Sequence, residues 1–579
     1  MTARVTTDVL IVGAGPAGAA SAVFLGKYGI STIMISRHRS TAKTPRAHLT
    51  NQRTMEALRD AGLERECLAR SSPGSNIEHT FWLRSMVGEE LARCYAWGND
   101  PARKGDYETA SPCRLCDLPQ TELEPILVTA ALRLGSHVRF GMELLSFQQD
   151  QNGVTALVRD RVTGEDVEVH AKYMIGADGG RSRVVEQLGI PLIGRKGLGD
   201  VITVLCEVDL GDYLAHRHAA LYQIVQPASS KWGAITNFRM VRPWDRWVVS
   251  LMRADASALT DPQIGEIEEQ VRAAIGAPLP VKVLEDVSVW SVSDAVASHY
   301  TVGRVLCMGD AVHRHPPSNG LGSNTSVQDA FNLAWKLAFV LQGKAHSRLL
   351  DSFNAERQPV GQQVVARATK SMGLFWDAVS FMVSGEKGHS PAEYQELLRT
   401  PEGRAGLRRV IFNMRHENHA HGVEMNRQYV SGAVIDDGTP VPVRERDEEL
   451  YYQPSTRPGA PLPHLWLGKR TPGPRLSSLD LAGKQRFTIF TGHGGDRWRE
   501  AARHVSEQIA MDISVVSIGP FLDYEDLYRQ WNALSEIDDS GCVLIRPDLY
   551  IGWRCPAMPD DPTGRLSRVM KAILGRAEK

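Results

Sequence analysis

An apolar run, Val9-Leu10-Ile11-Val12, leads straight into Gly13-Ala14-Gly15-Pro16-Ala17-Gly18, and few folds accommodate that junction. A strand that meets glycines at Gly-x-Gly-x-x-Gly spacing, followed by a small-residue helix to about Lys27, predicts a Rossmann-like βαβ unit. Gly13, Gly15 and Gly18 let the backbone approach a pyrophosphate at the positive end of that helix. A second apolar run, Ser31 to Ile35, closes the unit. The pattern alone predicts a dinucleotide and does not separate FAD from NAD. The carboxylate that ordinarily ends the second strand and holds the adenosine ribose is missing, because the chain reads Ile35-Ser36-Arg37-His38. The ribose contact falls to Ser36 or Arg37. Asp8 and the glycine pattern argue against reading this segment as a secretory leader.

With 579 residues, the chain is long enough for about three or four domains. Its 66 lysines and arginines nearly cancel its 67 aspartates and glutamates, which gives no electrostatic reason for a nucleic-acid or membrane partner. A small molecule is the expected partner. Eight cysteines, several inside apolar runs, fit a reducing cytoplasmic setting better than a disulfide framework. Cys113 and Cys116 form a C-x-x-C pair with no second pair or histidine to complete a metal site, so no metal is expected. No long apolar stretch predicts a membrane span.

The pattern then divides the chain. Residues 1–195 read as the first part of the dinucleotide-binding domain and 196–300 as an antiparallel-sheet substrate domain. Residues 301–370 return to strand, loop and helix, which makes the dinucleotide domain discontinuous. Residues 371–440 form a helical linking segment. Proline, glycine and charge concentrate near 435–475, and 441–579 reads as a compact C-terminal α/β domain.

Two later segments fix the cofactor. Tyr173-Met174-Ile175-Gly176-Ala177-Asp178-Gly179-Gly180-Arg181-Ser182 and Gly303-Arg304-Val305-Leu306-Cys307-Met308-Gly309-Asp310-Ala311 resemble the second and third fingerprints of the class A flavoprotein aromatic hydroxylases. The stretches Thr44 to Glu56, Cys116 to Gln120, Asp310 to Pro317 and His421 to Asn426 are similar to the phenol and dichlorophenol hydroxylase branch of that family. The resemblance implies an α/β fold of para-hydroxybenzoate hydroxylase type interleaved with the antiparallel sheet, and a thioredoxin-like C-terminal domain. That domain lacks a C-x-x-C, so its implied role is homo-oligomer packing. FAD, NADPH or NADH as electron donor, and O₂ as co-substrate are implied, with oxygen carried as a flavin C4a-hydroperoxide to a phenol-like ring. In this reading Asp310 binds the flavin ribitol, Asp178 and Gly179 support flavin and nicotinamide, and Arg46 and Gln120 make phosphate and ribityl contacts.

The loop Pro316-Pro317-Ser318-Asn319-Gly320-Leu321-Gly322-Ser323-Asn324 is rigid, glycine-bearing and opens a helix. Its Pro317, Gly320, Gly322, Ser323 and Asn324 are therefore candidate flavin contacts, with the helix start favouring a reduced, anionic ring. Alignment to the phenol hydroxylases makes His48 the candidate base for a phenolic proton and brings Asp294 near a second active-site position. Tyr222, Trp232, Asn237 and Trp290 are candidate substrate contacts from the sheet. A biosynthetic hydroxylase of a hydroxypyridine or polyketide-derived phenol, and a non-oxygenating flavin reductase, remain as alternative functions.

Overall fold

The computed structural model describes residues 3–227, 232–252, 263–285, 287–383, 389–469 and 473–576. It opens with β1 (Ala3–Val12), α1 (Pro16–Lys27) and β2 (Thr32–Ser36). There follow β3 (Leu49–Thr50), β4 (His79–Leu83), β5 (Glu90–Tyr95), β6 (Cys116–Asp117), α2 (Gln120–Arg133), β7 (His137–Phe140) and β8 (Asp166–Gly176). In the first sheet β2 lies between β7 and β1, and β1 lies between β2 and β8, all parallel. The strand β2 is buried along its whole length, as unbroken apolar runs in a doubly covered parallel sheet must be.

The middle of the chain supplies β9 (Leu192–Glu207), β10 (Leu221–Val225), β11 (Ile235–Arg242), β12 (Arg246–Met252), α3 (Ile264–Ile275) and β13 (Ser288–Ala297). They pair in the order β13-β9-β12-β11-β10, and the sheet continues through β4 and β5. Residues 79–95, expected with the dinucleotide-binding part, thus extend the second sheet, with β4 running parallel to β10. Alternation sets two faces. On one, Tyr222, Phe238, Trp247, Val249 and Leu251 pack with Ile267 and Val271 of α3. The other carries Thr203, Gln223, Asn237, Arg239 and Ser250, in register across neighbouring strands.

The strand β14 (Val305–Cys307) returns to the first sheet beside β8. Next come α4 (Leu321–Leu341), α5 (Asp351–Val383) and α6 (Pro401–Asn418); α5 runs unbroken past residue 370, where the linking segment was expected to begin. The C-terminal part contains β15 (Phe487–Thr491), α7 (Asp496–Ile509), β16 (Ile513–Ser517), β17 (Cys542–Ile545), β18 (Ile551–Cys555) and α8 (Pro562–Ile573). Its sheet order is β16-β15-β17-β18, with β15 and β16 parallel and the other pairs antiparallel. This part is joined to the rest through buried ions: Arg546 donates to Glu356 of α5 and to Asp548, while Lys336 of α4 donates to Glu356.

Candidate active site

Three chain crossings leave the first sheet at one edge. Ala177 N–H donates to Val12 O (2.8 Å), Gly13 N–H to Ile35 O (2.8 Å) and Met308 N–H to Gly176 O (3.0 Å), so the loops after β1, β8 and β14 sit together at the carboxyl ends of the strands. Gly13 has φ +111°, and a Cβ there would lie 2.1 Å from Ala177 O; a Cβ on Gly18 would lie 1.9 Å from Gly13 O. Those two glycines keep the turn tight. Gly15 serves a different purpose. It is the N-cap of α1 without a side-chain cap, and the nearest group to its Cβ position is Glu124 Oε1 at 3.9 Å. The helix start therefore faces open space, the shape and polarity a pyrophosphate requires.

Asp310 and the start of α4 form the other end of this cradle. The Asp310 side chain is exposed and its carboxylate accepts no hydrogen bond from the described residues, while Asp310 Oδ1 lies 4.0 Å from the Cβ position of Gly322. Gly320, with φ +65°, caps α4 without a side-chain bond. A free carboxylate for hydroxyls and an uncapped helix start for an electron-rich ring match the two ends of a flavin and its ribityl chain. The donor set fits FAD.

The remaining candidates fall into different places. Ser36 is buried at the end of β2, where its Oγ accepts from His38 N (3.3 Å), and Arg37 is exposed beside it. Gln120 Oε1 accepts from Arg46 N (3.3 Å), and Gln120 Nε2 donates to Glu124 Oε1 (2.6 Å). Glu124, overlooked in the sequence, also accepts from Ala42 N (2.6 Å); burial pushes its carboxyl up from the usual value. Asp178 is committed to the protein, accepting from Ser182 Oγ (2.5 Å), Arg183 N (2.8 Å) and Val184 N (3.2 Å) at the start of the helix Arg183–Gln187. Gly179, with φ +81°, faces open space. Asn324 is likewise occupied, donating to Leu49 O and Gly320 O (2.7 Å each) and accepting from Asn51 N (2.9 Å). It fastens the loop that opens α4 to the strand that follows His48. Pro317 caps the turn Ser318–Gly320, and Ser323 is half-buried in the first turn of α4.

His48 lies between that loop and the polar face of the second sheet. It is buried, and neither Nδ1 nor Nε2 has a hydrogen-bond partner. Asp117 Oδ1 is 3.9 Å from Nδ1, and Arg239 of β11 donates to the same oxygen. Burial, reinforced by the Arg239 guanidinium, holds His48 well below the usual imidazole value, so its ring is neutral. Arg239 also stacks over Trp97, 4.8 Å from the ring centre. Around this group the unpaired buried atoms accumulate: Asp117 Oδ2, Arg239 Nε, Thr80 Oγ1, Gln223 Oε1 and Asn237 Oδ1. Buried polar atoms are normally satisfied, so this group holds hydrogen-bonding capacity that the chain itself does not use.

Four sheet-borne candidates separate by face. Asn237 lies on the polar face. Trp290 lies on the same face, where its Nε1 donates to Thr203 Oγ1 (3.1 Å). Tyr222 points the opposite way, into the core under α3, and its hydroxyl is saturated by Ala219 N and Arg217 O at 2.8 Å each. Trp232 packs in that same core. For these two the substrate-contact expectation does not match the packing: alternation puts Tyr222 on the α3 side, and Trp232, in the turn before β11, packs into the same core. Asp294 is bound by Arg195 (2.5 Å to Nη2, 2.8 Å to the backbone N). Burial raises its carboxyl, but the Arg195 guanidinium and backbone N–H outweigh that and hold it below the usual range. A carboxylate so engaged is a poor acceptor for a phenolic proton, and we assign Asp294 to the ion pair. Among the described residues no group of three or more His, Cys, Asp or Glu could hold a metal, and no helix is long and apolar enough to cross a membrane.

Residues 6–368 match the FAD binding domain family and residues 455–577 the aromatic-ring hydroxylase C-terminal family. The chain belongs to the FAD-dependent aromatic-ring hydroxylases, monooxygenases that use FAD, NAD(P)H and O₂. Within them it is 46% identical to the 2,4-dichlorophenol 6-monooxygenase of Delftia acidovorans, covering 98% of both chains. It is 41% identical to the phenol 2-monooxygenase of Pseudomonas sp. (strain EST1001), over 98% of this chain and 92% of that one. The solved structure of the flavin-dependent monooxygenase PieE in complex with FAD and substrate superposes with a TM-score of 0.93 at 42% identity, covering 99% and 100% of the two chains.

Proposed function

We propose that this chain hydroxylates a phenol next to its hydroxyl group and that His48 accepts the phenolic proton. The observation that carries this reading is a buried, neutral imidazole with both nitrogens unpaired, set between the flavin loop and the polar face of the sheet. Gly13, Gly15 and Gly18 would hold the FAD pyrophosphate, Ser36 or Arg37 the ribose, Asp310 the ribityl hydroxyls, and the backbone from Pro317 through Gly320, Gly322 and Ser323 the ring. Arg46 and Gln120 would contact the phosphate and ribityl chain, and Gly179, with no neighbour near its Cβ position, would leave space for the nicotinamide of NADPH or NADH. Bound FAD supplies electron transfer to O₂ and delivery of one oxygen atom to the ring.

The chain's own part is proton handling and exclusion of water. A phenol has a pKa near 10, so at neutral pH it arrives protonated. Transfer of that proton to His48 raises the electron density of the ring and favours attack on an electrophilic oxygen. Asp117, 3.9 Å from His48 Nδ1 and itself hydrogen-bonded by Arg239, stands where it would orient the ring and face the imidazolium that forms.

The C-terminal part we read as thioredoxin-like, on the strength of its βαβ-ββα connectivity and the order β16-β15-β17-β18. Exposed Phe521, Leu527 and Tyr528 on that part favour self-association. Eight free cysteines favour the cytoplasm.

His48→Ala tests the reading. With a neutral phenol at pH 7, kcat/KM should fall about 10²- to 10⁴-fold, with FAD content and visible spectrum unchanged. The loss should shrink as pH rises toward the phenol pKa, because the substrate then arrives deprotonated. Since burial keeps His48 below 6.5, the acid limb of the wild-type profile should lie below that pH. Unchanged product formation by the variant at pH 7 removes His48 from the mechanism.

A further inference from the structure

The polar face of the second sheet carries more hydrogen-bonding capacity than a phenol ring can use. Arg239 marks the end beside His48. Two residues along the same strand and face, about 7 Å away, is Asn237, and Gln223 stands directly across from Asn237 on β10. Ser250 and Thr203 continue the row on β12 and β9, where they bond to each other at 3.3 Å. Gln223 is 5% exposed with Oε1 unpaired, and Asn237 Oδ1 is buried and unpaired. Beyond this row the face turns apolar, with Val225 and Ile235 packed against Phe375 and Val379 of α5. The two amides thus lie between the proton-accepting end of the cavity and its apolar far wall.

A site shaped for a ring bearing only halogen or alkyl groups would line this position with apolar side chains, since a substituent of that kind leaves both amides desolvated and unpaired. The geometry points to a substrate phenol that carries a second hydrogen-bonding substituent, a hydroxyl, amino or carbonyl group, which pairs with Asn237 and Gln223 while the reacting hydroxyl faces His48. An amide offers both a donor and an acceptor, so either orientation of its terminal atoms serves such a group. Asn237 and Gln223 then act as specificity residues: they select the ring and fix which edge is turned to the flavin. This inference rests on the phenol reading above and narrows it.

The test compares catechol, resorcinol and hydroquinone with phenol and 2,4-dichlorophenol, with hydroxylated product counted against NAD(P)H consumed, in wild type and in Asn237→Leu and Gln223→Leu. In wild type at least one dihydroxybenzene should exceed 2,4-dichlorophenol in kcat/KM by about tenfold or more. Each substitution should lower kcat/KM for that ring about 10- to 100-fold and lower it far less for 2,4-dichlorophenol, so that the preference between the two rings collapses. Wild-type preference for 2,4-dichlorophenol, or equal losses for both kinds of ring in the variants, overturns this inference while leaving phenol hydroxylation intact. Absence of product from every ring overturns the phenol reading and this inference with it. Should either variant fail to retain FAD, the wild-type preference decides.

Discussion

Glu356 and Asn237 are both polar groups inside this chain, and they are treated in opposite ways. Glu356 accepts from Arg546 Nη1 and Nη2 (2.6 and 2.9 Å), Lys336 Nζ (2.7 Å), Asn332 Nδ2 (2.6 Å) and Ser431 Oγ (2.6 Å), with no exposure on either side of the Arg546 and Lys336 pairs. Burial works against its charge, yet Arg546 and Lys336 outweigh it and hold the carboxyl far below the usual range. Asn237, with Gln223 and His48, has no partner for the atoms that face the cavity. Where the C-terminal part is locked onto α4 and α5 the shared carboxylate is saturated; on the polar face of the second sheet buried oxygens are left open. Between these two groups it is saturation, and not burial, that makes the difference.

Breaking the saturated region should have the largest effect. Glu356→Ala leaves Arg546 and Lys336 buried without their shared carboxylate and should cost about 3–5 kcal/mol, read as a melting temperature lower by roughly 10 °C. A shift of only about 1–2 °C would mean that the network is not what holds the C-terminal part in place. Tyr222→Phe is the intermediate case. It removes a hydroxyl that is fully paired on the α3 side of the sheet, so stability should fall by about 1 kcal/mol while turnover of any ring stays at the wild-type value. A selective loss of activity would return Tyr222 to the cavity. Asp294→Asn should do least. Its partner Arg195 is 65% exposed, so solvent screens the pair and little stability should be lost, and kcat/KM with its pH profile should be unaltered; a displaced basic or acidic limb would restore Asp294 to proton transfer.

The sequence made some of this arrangement legible and hid the rest for physical reasons. Local features were readable: the glycine spacing at Gly13, Gly15 and Gly18, the strand before it, and the glycine-bearing loop into α4 all depend on neighbours a few residues away. The discontinuity of the first sheet was readable too, because apolar strand patterns return after residue 301. Pairing of β4 with β10 was not, since parallel neighbours far apart in sequence leave no local mark. For the same reason Asp117 and Arg239, which meet across the cavity, gave no signal as a pair, and Glu124 looked like one more helix carboxylate. Alternation indicated that Tyr222 and Asn237 lie on strands of one sheet, but which face α3 would cover is decided only by packing. Asp178 and Asn324 sit in the expected loops, yet their hydrogen bonds go to the protein.

The insertion of residues 79–95 beside β10 also has a consequence for how this molecule comes into being. During synthesis the ribosome releases β4 and β5 long before their partners in 221–297 exist, and they cannot find their place until the central segment has emerged. The roof over the cavity is a late assembly, closed by contacts of large sequence separation, which are the slowest kind to form. A fragment spanning only 196–300 would lack one edge of its own sheet and present β10 as an unpaired strand to other chains. The second sheet is therefore not a separable module: it can be exchanged between relatives only together with the stretch of residues 79–95 that completes it.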